Sequence, residues 1–325
     1  MRALMHHAFG DPADVLTLVD QEVAEPGPGE VRVRTELAAI HNHDLWTIRG
    51  TYGFRPALPA RAGTEAVGVI DALGPDVDGL RVGQRVSSAG AFGVWAESFV
   101  TRAAAVVPVP DAVSDETAAQ WISMPFSALS LVDSLDVAEG DWIVQNAANG
   151  AVGRLVVPFA EARGIRVLGL VRRSAGIDEL AAVGIDDVVA TDSEDWRARA
   201  AEIIGDGTVR AAVDSVGGAA AGDLISLLGD GGSLVVFGSM GEPELAIPTG
   251  DIIFRQLTVR GFWGSRVSSD MDTGTRTRLM GELIARISSG EVSLPVEQIF
   301  PAEKAADAVR ANARAGRAGK VLLSF

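Results

Sequence analysis

Between residues 141 and 262, short apolar runs alternate with segments of helical spacing, and this alternation constrains the fold more than any other feature of the sequence. The apolar runs read "DWIVQNA", "RVLGLV", "DDVVA", "VRAAVDSV", "GSLVVFG" and "LTVRGF". Helix-like segments such as "GAVGRLVVPFAEARG" and "SEDWRARAAEIIG" separate them. Strands and helices that alternate in this way predict a doubly wound, parallel, six-stranded sheet of the α/β class.

The turn after the first of these strands, "ANGAVG", has the spacing of a phosphate-binding loop. Ala148, Gly150 and Gly153 occupy the three positions of a GxGxxG-type motif, with Ala in place of the first Gly. Small residues there let the backbone approach a pyrophosphate and let the helix pack closely on the strand. The free N–H groups at the helix N-terminus then bind the anion. The predicted cofactor-binding residues of this turn are Asn149, Gly150, Ala151, Val152 and Gly153.

The position that reads the ribose carries two arginines instead of an acid. Dinucleotide-binding units that use NAD place an acidic residue at the end of the second strand, about twenty residues past the glycines. Here "VLGLVRRS" puts Arg172 and Arg173 at that point. Guanidinium groups match the charge and geometry of a 2′-phosphate, so the sequence predicts NADPH as the cofactor. The alternative is that both arginines are solvated surface residues.

The residues before Asp111 have a different pattern, in which glycine and proline separate short β-like runs. "EVRVRTELA", "GTEAVGVIDALG", "GQRVSSAG" and "AESFVTRAAAVVPVP" predict an all-β region. The next segment, "SDETAAQWISMPFSALSLVDS", has helical spacing with Ser114 as the predicted N-cap. The chain ends on the strand-like "GKVLLSF", which we expect to return to the first domain. The expected domains are a β-rich domain of residues 1–115 and 266–325, and a dinucleotide-binding domain of residues 116–265.

The overall composition restricts the function classes. Of the 325 residues, 47% are hydrophobic and 22% are charged, which is typical of a globular protein. The absence of cysteine excludes disulfides, thiolate metal ligands and thiol nucleophiles. A formal net charge of −15 argues against nucleic acid and anionic membranes as partners and favours a small-molecule substrate. Because no apolar run is long enough to span a bilayer and no signal-peptide core is visible, we expect a cytoplasmic protein.

A β-rich domain before a six-stranded dinucleotide domain resembles the medium-chain dehydrogenase/reductase superfamily, over the range from "GPGEVRVR" to "GKVLLSF". The resemblance implies a GroES-like catalytic domain and a Rossmann domain. Alcohol dehydrogenases of this family bind catalytic zinc through a Cys in a CxxD-type loop and a His in a GHE motif. Here those segments read "HNHD" (residues 41–44) and "GTE" (residues 63–65). The chain therefore resembles the zinc-independent branch, which contains quinone reductases and 2-enoyl thioester reductases.

Both groups of that branch reduce a double bond conjugated to a carbonyl. "NAANGAVG", "RGTYG" and "RGFWGSR" are similar to the enoyl thioester reductases, whereas "GTEAVG" is similar to the quinone reductases. The resemblance implies an NADPH-dependent oxidoreductase that reduces activated C=C bonds (2-enoyl thioesters, enones) or quinones by hydride transfer without zinc. The alternative is a non-catalytic NADPH-binding redox sensor or regulatory protein. The family also implies a homodimer.

The stretch "AIHNHDLWTIRGTYG" holds the predicted catalytic residue, Tyr52. The resemblance implies that its loop borders the nicotinamide pocket, where a phenol can donate to a carbonyl oxygen as negative charge develops. The alternative is that Tyr52 only lines the pocket. The family places Trp263 beside the nicotinamide and the substrate. The remaining cofactor-binding residues that the resemblance implies are His41, Gly238, Ser239, Phe262, Trp263 and Lys320.

The two histidines of this stretch raise the question of a metal site. His41 and His43 lie two positions apart and would share a face on a strand. A catalytic zinc site needs three protein ligands, so Asp44 or Glu65 would have to contribute. We instead expect His41 to be a polar residue lining the cofactor site, His43 to be a loop residue, and no metal to bind.

Overall fold

The computed structural model of the protein describes residues 1–314 and 316–325. They form two compact units. Unit 1 comprises Met1–Ser123 and Ser293–Phe325, and unit 2 comprises Met124–Val292. Within the two described ranges, none of the helices combines the length and the apolar character needed to cross a membrane.

The N-terminal part of unit 1 consists of short strands and helices. In chain order they are β1 (Arg2–His6), α1 (Pro12–Val15), β2 (Leu16–Asp20), β3 (Glu30–Ala39), α2 (Asn42–Arg49), β4 (Ala60–Arg61), β5 (Glu65–Leu73), β6 (Arg85–Ala89), β7 (Ser98–Arg102), β8 (Val106–Pro108) and α3 (Asp115–Ala118).

The strands of unit 1 form two sheets. Strands β2, β1 and β4 form a small antiparallel sheet. In the larger sheet β3 pairs with β5 and with β7, β5 pairs with β6, and β6 pairs with β8, all antiparallel. Val31 and Val33 of β3 are buried in one core with Trp95 and Phe99, because alternate residues of a strand point to the same face. The β-rich character predicted before Asp111 is confirmed, but the region is not all-β as predicted, because α1 and α2 lie within it.

The helix predicted after Asp111 is interrupted. Ser114 caps α3 as predicted, since its Oγ accepts a hydrogen bond from the Thr117 amide. The next helix, α4 (Ser123–Asp133), starts anew. Between the two helices, the amides of Ile122 and Ser123 donate to Oε1 of Glu65 at 2.7 and 3.2 Å instead of to carbonyls one turn back. The segment predicted to be helical is therefore helical in two separate pieces.

Unit 2 alternates strands and helices. After α4 it contains β9 (Trp142–Gln145), α5 (Ala151–Glu161), β10 (Arg166–Val171), α6 (Ala175–Ala181), β11 (Val188–Ala190), α7 (Trp196–Ile204), β12 (Val209–Asp214), α8 (Gly218–Leu227), β13 (Ser233–Val236), α9 (Thr249–Phe254), β14 (Thr258–Gly261), α10 (Gly264–Asp270) and α11 (Thr273–Ser288). The parallel sheet has the order β11-β10-β9-β12-β13-β14. This is the Rossmann order, so the predicted doubly wound six-stranded sheet is confirmed.

The C-terminal segment belongs to unit 1. Its elements are β15 (Val296–Pro301), α12 (Ala305–Ala313) and β16 (Lys320–Ser324). Strand β16 pairs antiparallel with β3 and parallel with β15. The last strand therefore returns to the sheet of the first unit, as expected from the sequence.

The compact units divide the chain at 123/124 and 292/293, later than the expected domain boundaries at 115/116 and 265/266. Helix α11 accounts for the shift of the second boundary. Its Leu279, Leu283 and Ile287 are buried. Arg278 of the same helix lies 3.0 Å from a carboxylate oxygen of Asp133, at the end of α4. These contacts tie α11 to unit 2.

Candidate active site

The stretch that carries both histidines folds as helix α2, not as a loop. The backbone N–H of His41, the N-cap residue, donates to Oδ2 of Asp44 at 2.9 Å. A carboxylate three residues after the N-cap stabilises a helix start in this way. His43 therefore lies in the first turn of α2, and its interpretation as a loop residue was wrong. The sequence signal was weak because His is not a common N-cap residue.

A buried acid–base pair connects α2 to strand β5. Nε2 of His41 lies 2.8 Å from Oε2 of Glu65, and both side chains are 0% exposed. Burial raises the pKa of Glu65 to about 7, although the amides of Ile122 and Ser123 favour its ionised form. Burial also lowers the pKa of His41 well below its usual value, and the charges of Lys320 and His43 lower it further. Burial therefore favours the neutral form of both side chains.

The C-terminal strand adds a cation to this group. Lys320 is the first residue of β16 and is half-buried. Burial lowers the pKa of its ammonium group to about 8, and the charge of Arg317 lowers it further. Glu65 and Asp44 act in the opposite direction by favouring the protonated amine. The structure thus brings together two predicted cofactor-binding residues, His41 and Lys320, around a carboxylate to which the sequence assigned no role in cofactor binding.

A second hydrogen-bond chain starts at Asp44. Thr64 Oγ1 donates to Oδ1 of Asp44 at 2.7 Å. The same hydroxyl oxygen lies 2.7 Å from Nε2 of His43. The ring of His43 stacks on that of His41 with centroids 5.0 Å apart, and it lies 5.9 Å from the ring centroid of Tyr52. The predicted catalytic residue therefore stands at the outer end of a row of three rings.

The side chains around His41 and His43 do not fit a catalytic zinc ion. Thr64 occupies the position at which the zinc-dependent dehydrogenases have a ligand His, and its hydroxyl is engaged with Asp44 and His43. The carboxylate of Glu65 is engaged by His41 and by two backbone amides. Among residues 1–314 and 316–325, no group of three His, Cys, Asp or Glu side chains is arranged to hold a metal ion.

In unit 2, the predicted phosphate turn joins β9 to α5. Gly150 is the N-cap of α5, so the first amides of this helix lack partners within the helix. A Cβ on Gly153 would lie 2.6 Å from the carbonyl oxygen of Ala148 and 2.8 Å from that of Ala147. Only glycine fits at this closest approach between helix and turn. The turn therefore fits the pyrophosphate of a dinucleotide, which would be bound by the free backbone N–H groups at the start of α5, as predicted from the sequence.

Residues outside the motif hold the turn in place. Asn146 Nδ2 donates to Oδ1 of Asp214 at 2.5 Å, and Asn146 Oδ1 accepts from the Ser215 amide at 2.7 Å. Asp214 also accepts from the amides of Val216 and Gly217. These contacts join the ends of β9 and β12, the two neighbouring strands at which the sheet order reverses. This pair is not among the residues predicted from the sequence, although polar residues at the ends of two buried strands are a usable signal.

Two arginines follow the end of strand β10. Arg172 and Arg173 are both exposed, and within the described part of the chain neither guanidinium group has an ion pair. On the neighbouring helix α6, Glu179 accepts a hydrogen bond from Asn149 Nδ2 at 2.9 Å. The side chain of Asn149 is thus held by a carboxylate, which the motif alone does not reveal.

The remaining predicted cofactor residues lie after strands β13 and β14. The Gly238 amide donates to the carbonyl of Asp214, and Ser239 Oγ donates to the carbonyl of Glu242. The ring of Phe262 is buried against Phe237, with centroids 5.7 Å apart. A cofactor contact from Phe262 would therefore come from its backbone. Trp263 is the N-cap of α10, and 42% of its surface is exposed.

Two family models match the chain. One, described as "Alcohol dehydrogenase GroES-like domain", matches residues 27–111. The other, described as "Zinc-binding dehydrogenase", matches residues 151–278. The first lies within unit 1 and the second within unit 2.

The similarity to individual proteins extends over the whole chain. The mitochondrial enoyl-[acyl-carrier-protein] reductase of Homo sapiens is 32% identical over 332 aligned positions, which cover 100% of this chain and 89% of that protein. The solved structure of a putative NADPH:quinone reductase from Bacillus thuringiensis superposes with a TM-score of 0.91 at 25% identity, covering 100% of this chain and 98% of that one. Escherichia coli quinone oxidoreductase complexed with NADPH gives a TM-score of 0.89 at 26% identity, with 100% of both chains covered. The chain therefore belongs to the medium-chain dehydrogenase/reductase superfamily and is an oxidoreductase of that type.

Proposed function

We propose that the protein is an NADPH-dependent reductase of activated C=C bonds, in 2-enoyl thioesters and enones, or of quinones. The observation that carries this proposal is the phosphate turn at the start of α5, where Gly153 admits no Cβ, together with two exposed arginines after β10. A turn of this shape takes a pyrophosphate, and guanidinium groups without ion pairs among the described residues suit a 2′-phosphate. The names of the relatives, enoyl-[acyl-carrier-protein] reductase and NADPH:quinone reductase, support the same assignment.

NADPH, when bound, supplies the hydride. The protein's own residues bind the cofactor's phosphates and stabilise the negative charge that develops on the substrate. Addition of a hydride to the β-carbon of an enone leaves an enolate, whose oxygen carries negative charge. We propose that the hydroxyl of Tyr52 donates a hydrogen bond to that oxygen or relays a proton to the α-carbon. Tyr52 is the only phenol in the chain, and no cysteine is present to act in its place.

We also propose that the reaction needs no zinc. His41 and Thr64 lie where a zinc-dependent relative would have a Cys ligand and a His ligand, and both side chains, like that of Glu65, are already hydrogen-bonded to other partners. A catalytic zinc site needs three protein ligands drawn from Cys, His, Asp and Glu, and Thr64 contributes only a hydroxyl. No step of the proposed mechanism therefore passes through a metal.

The proposal is tested by mixing protein and NADPH with 2-enoyl thioesters, enones and quinones, and by following the absorbance of NADPH. Each assay is repeated after dialysis against a chelator. We expect turnover on at least one substrate class, at the same rate with and without chelator. NADPH binding without turnover on any class would contradict the enzyme assignment and favour a redox sensor or regulatory protein. Turnover that is lost in chelator and restored by zinc would contradict zinc independence but not the enzyme assignment.

We further propose that the protein is a homodimer. Phe254 of α9 is 85% exposed, and Ile253 beside it is 52% exposed. They lie close in sequence to β14, which is the edge strand of the six-stranded sheet and carries Val259 at 40% exposure. Apolar side chains at an open sheet edge favour pairing with a second copy. The cytoplasmic location stays a prediction.

A further inference from the structure

The row of rings in unit 1 leads from a buried pair to the predicted acid. His41 is fully buried, and the side chain of His43 is 18% exposed. His41 and His43 are stacked at an interplanar angle of 15°, and His43 and Tyr52 are inclined by 30°. Both His43 and Tyr52 are anchored to α2, because the Tyr52 amide donates to the carbonyl of Trp46 at 3.2 Å. The phenol ring, which follows the end of α2, therefore lies beside the ring of a histidine in the first turn of that helix.

The hydrogen bonds around His43 determine which of its nitrogens carries the proton. The hydroxyl of Thr64 has one hydrogen, which it gives to Asp44. Its oxygen can then only accept from Nε2 of His43 at 2.7 Å, so this nitrogen is protonated. The carbonyl of His43 is held as well, since Thr47 Oγ1 donates to it at 2.7 Å. His43 is thereby held both at its ring, through Nε2, and at its backbone carbonyl.

We propose that His43 is a positioning residue for Tyr52, held by the Asp44–Thr64 chain so that its ring keeps the phenol in one orientation; this proposal rests on the proposed role of Tyr52 as acid. Gly50, with φ of +76°, ends α2 and starts the short segment that carries Tyr52. The neighbouring His43 ring limits the side-chain directions that this segment allows. A hydroxyl that is already oriented toward the developing oxyanion loses little conformational entropy in the transition state, and this increases the rate of the chemical step.

The proposal is tested first without any substrate. Tyr52 is the only tyrosine, so protein grown with 3-fluorotyrosine gives a single ¹⁹F signal that reports on this residue alone. We compare the parent protein with His43→Ala, His43→Phe and Thr64→Val. His7→Ala is the matched control, because His7 is an exposed histidine of the same unit. His43→Ala should move and narrow the ¹⁹F line, Thr64→Val should move it less, His43→Phe should restore part of the parent line, and His7→Ala should leave it in place.

The second test is kinetic and uses the best substrate of the panel. We expect His43→Ala to lower kcat by roughly ten- to a hundredfold, as a misplaced catalytic group does, with the KM for NADPH unchanged. In a Tyr52→Phe background the same substitution should lower kcat no further, because His43 acts through the hydroxyl that is already missing. An equal fall in both backgrounds would overturn the proposal, and so would an unmoved ¹⁹F line in His43→Ala. If Tyr52→Phe alone leaves kcat unchanged, the proposed acid is wrong, whereas the ¹⁹F line still decides whether His43 orders Tyr52.

Discussion

Nε2 of His41 and Oε2 of Glu65 lie 2.8 Å apart in the interior of unit 1, and neither side chain is exposed. Such a pair is costly to ionise, because burial disfavours charge on both partners. One oxygen of Glu65 also receives two backbone amides at the break between α3 and α4. The carboxyl group therefore serves the fold as well as the site, and its protonation should be visible in the stability of the protein.

The first prediction concerns pH. The pKa of Glu65 is about 7 in the folded state, above the ordinary value of 4.5 expected when unfolded. The folded state therefore binds more protons in this window, so the contribution of Glu65 is fully present below pH 4.5 and is lost as pH rises through about 7. Relative to Glu65→Gln, the parent protein should lose on the order of 2 kcal/mol of unfolding free energy between pH 5 and pH 8.

Urea unfolding at several pH values measures this difference. Glu22→Gln is the matched control, since Glu22 is exposed in the same unit. It should follow the parent curve at every pH. If the unfolding free energies of Glu65→Gln and the parent protein change with pH in parallel, Glu65 does not titrate in this range.

The second prediction concerns the phosphate turn. Gly153→Ala puts a Cβ 2.6 Å from the carbonyl oxygen of Ala148, so helix and turn must separate. We expect weaker NADPH binding and a loss of about 1–3 kcal/mol in stability, as for other overpacked sites.

Gly281→Ala is the control, because Gly281 lies exposed in α11 with no atom within 4 Å of the added Cβ. That change should stabilise the helix by about 0.5–1 kcal/mol. Titration with NADPH and thermal unfolding of both variants check the pair, and NADPH binding to Gly153→Ala at parental affinity would contradict the assigned turn.

The third prediction concerns cofactor choice. A hydrogen bond to a charged group contributes about 1.5–3 kcal/mol, which corresponds to about ten- to a hundredfold in affinity. Replacing Arg172 and Arg173 by Ala should therefore weaken NADPH binding strongly and leave NADH binding nearly unchanged. Arg199→Ala, at an exposed arginine of α7, is the control and should alter neither. The assignment fails if the parent protein binds NADH as tightly as NADPH.

The sequence was sufficient for unit 2 because its signals are local. Each strand is a short apolar run, each helix follows within a few residues, and Gly150 and Gly153 stand in the connecting turn. Even there, the link between Asn146 and Asp214 joins residues 68 positions apart, so no local pattern reveals it.

The site in unit 1 depends on contacts that are distant in sequence. His41 and Glu65 are 24 residues apart, and Lys320 reaches them only because β16 returns beside β3. The role of His43 was missed because its helix begins at a residue type that does not announce a helix start. Because no helix start is visible at His41, the sequence predicts a loop at His43 and gives no indication of its contact with Tyr52.

The fourth prediction concerns assembly. If two copies pair at the open edge of the six-stranded sheet, then Phe254→Asp places a charge in that interface. Light scattering should give twice the chain mass of 33.8 kDa for the parent protein and the single chain mass for the variant. Val82→Asp is the control, since Val82 is 58% exposed in unit 1 and should leave the mass unchanged. A parent protein that has the single chain mass at every concentration would contradict the proposed dimer.

The most direct test of the proposed chemistry is kcat of Tyr52→Phe on the best substrate, together with the affinity for NADPH. The substitution keeps the ring beside His43 and removes only the hydroxyl, so cofactor binding should persist. If the hydroxyl is the general acid, kcat should fall by roughly 10²–10⁴-fold, and the fall should be larger for an enoyl thioester than for a quinone, whose reduced product solvent protonates readily. An unchanged kcat with NADPH affinity intact would contradict the account and reduce Tyr52 to an aromatic residue that lines the site.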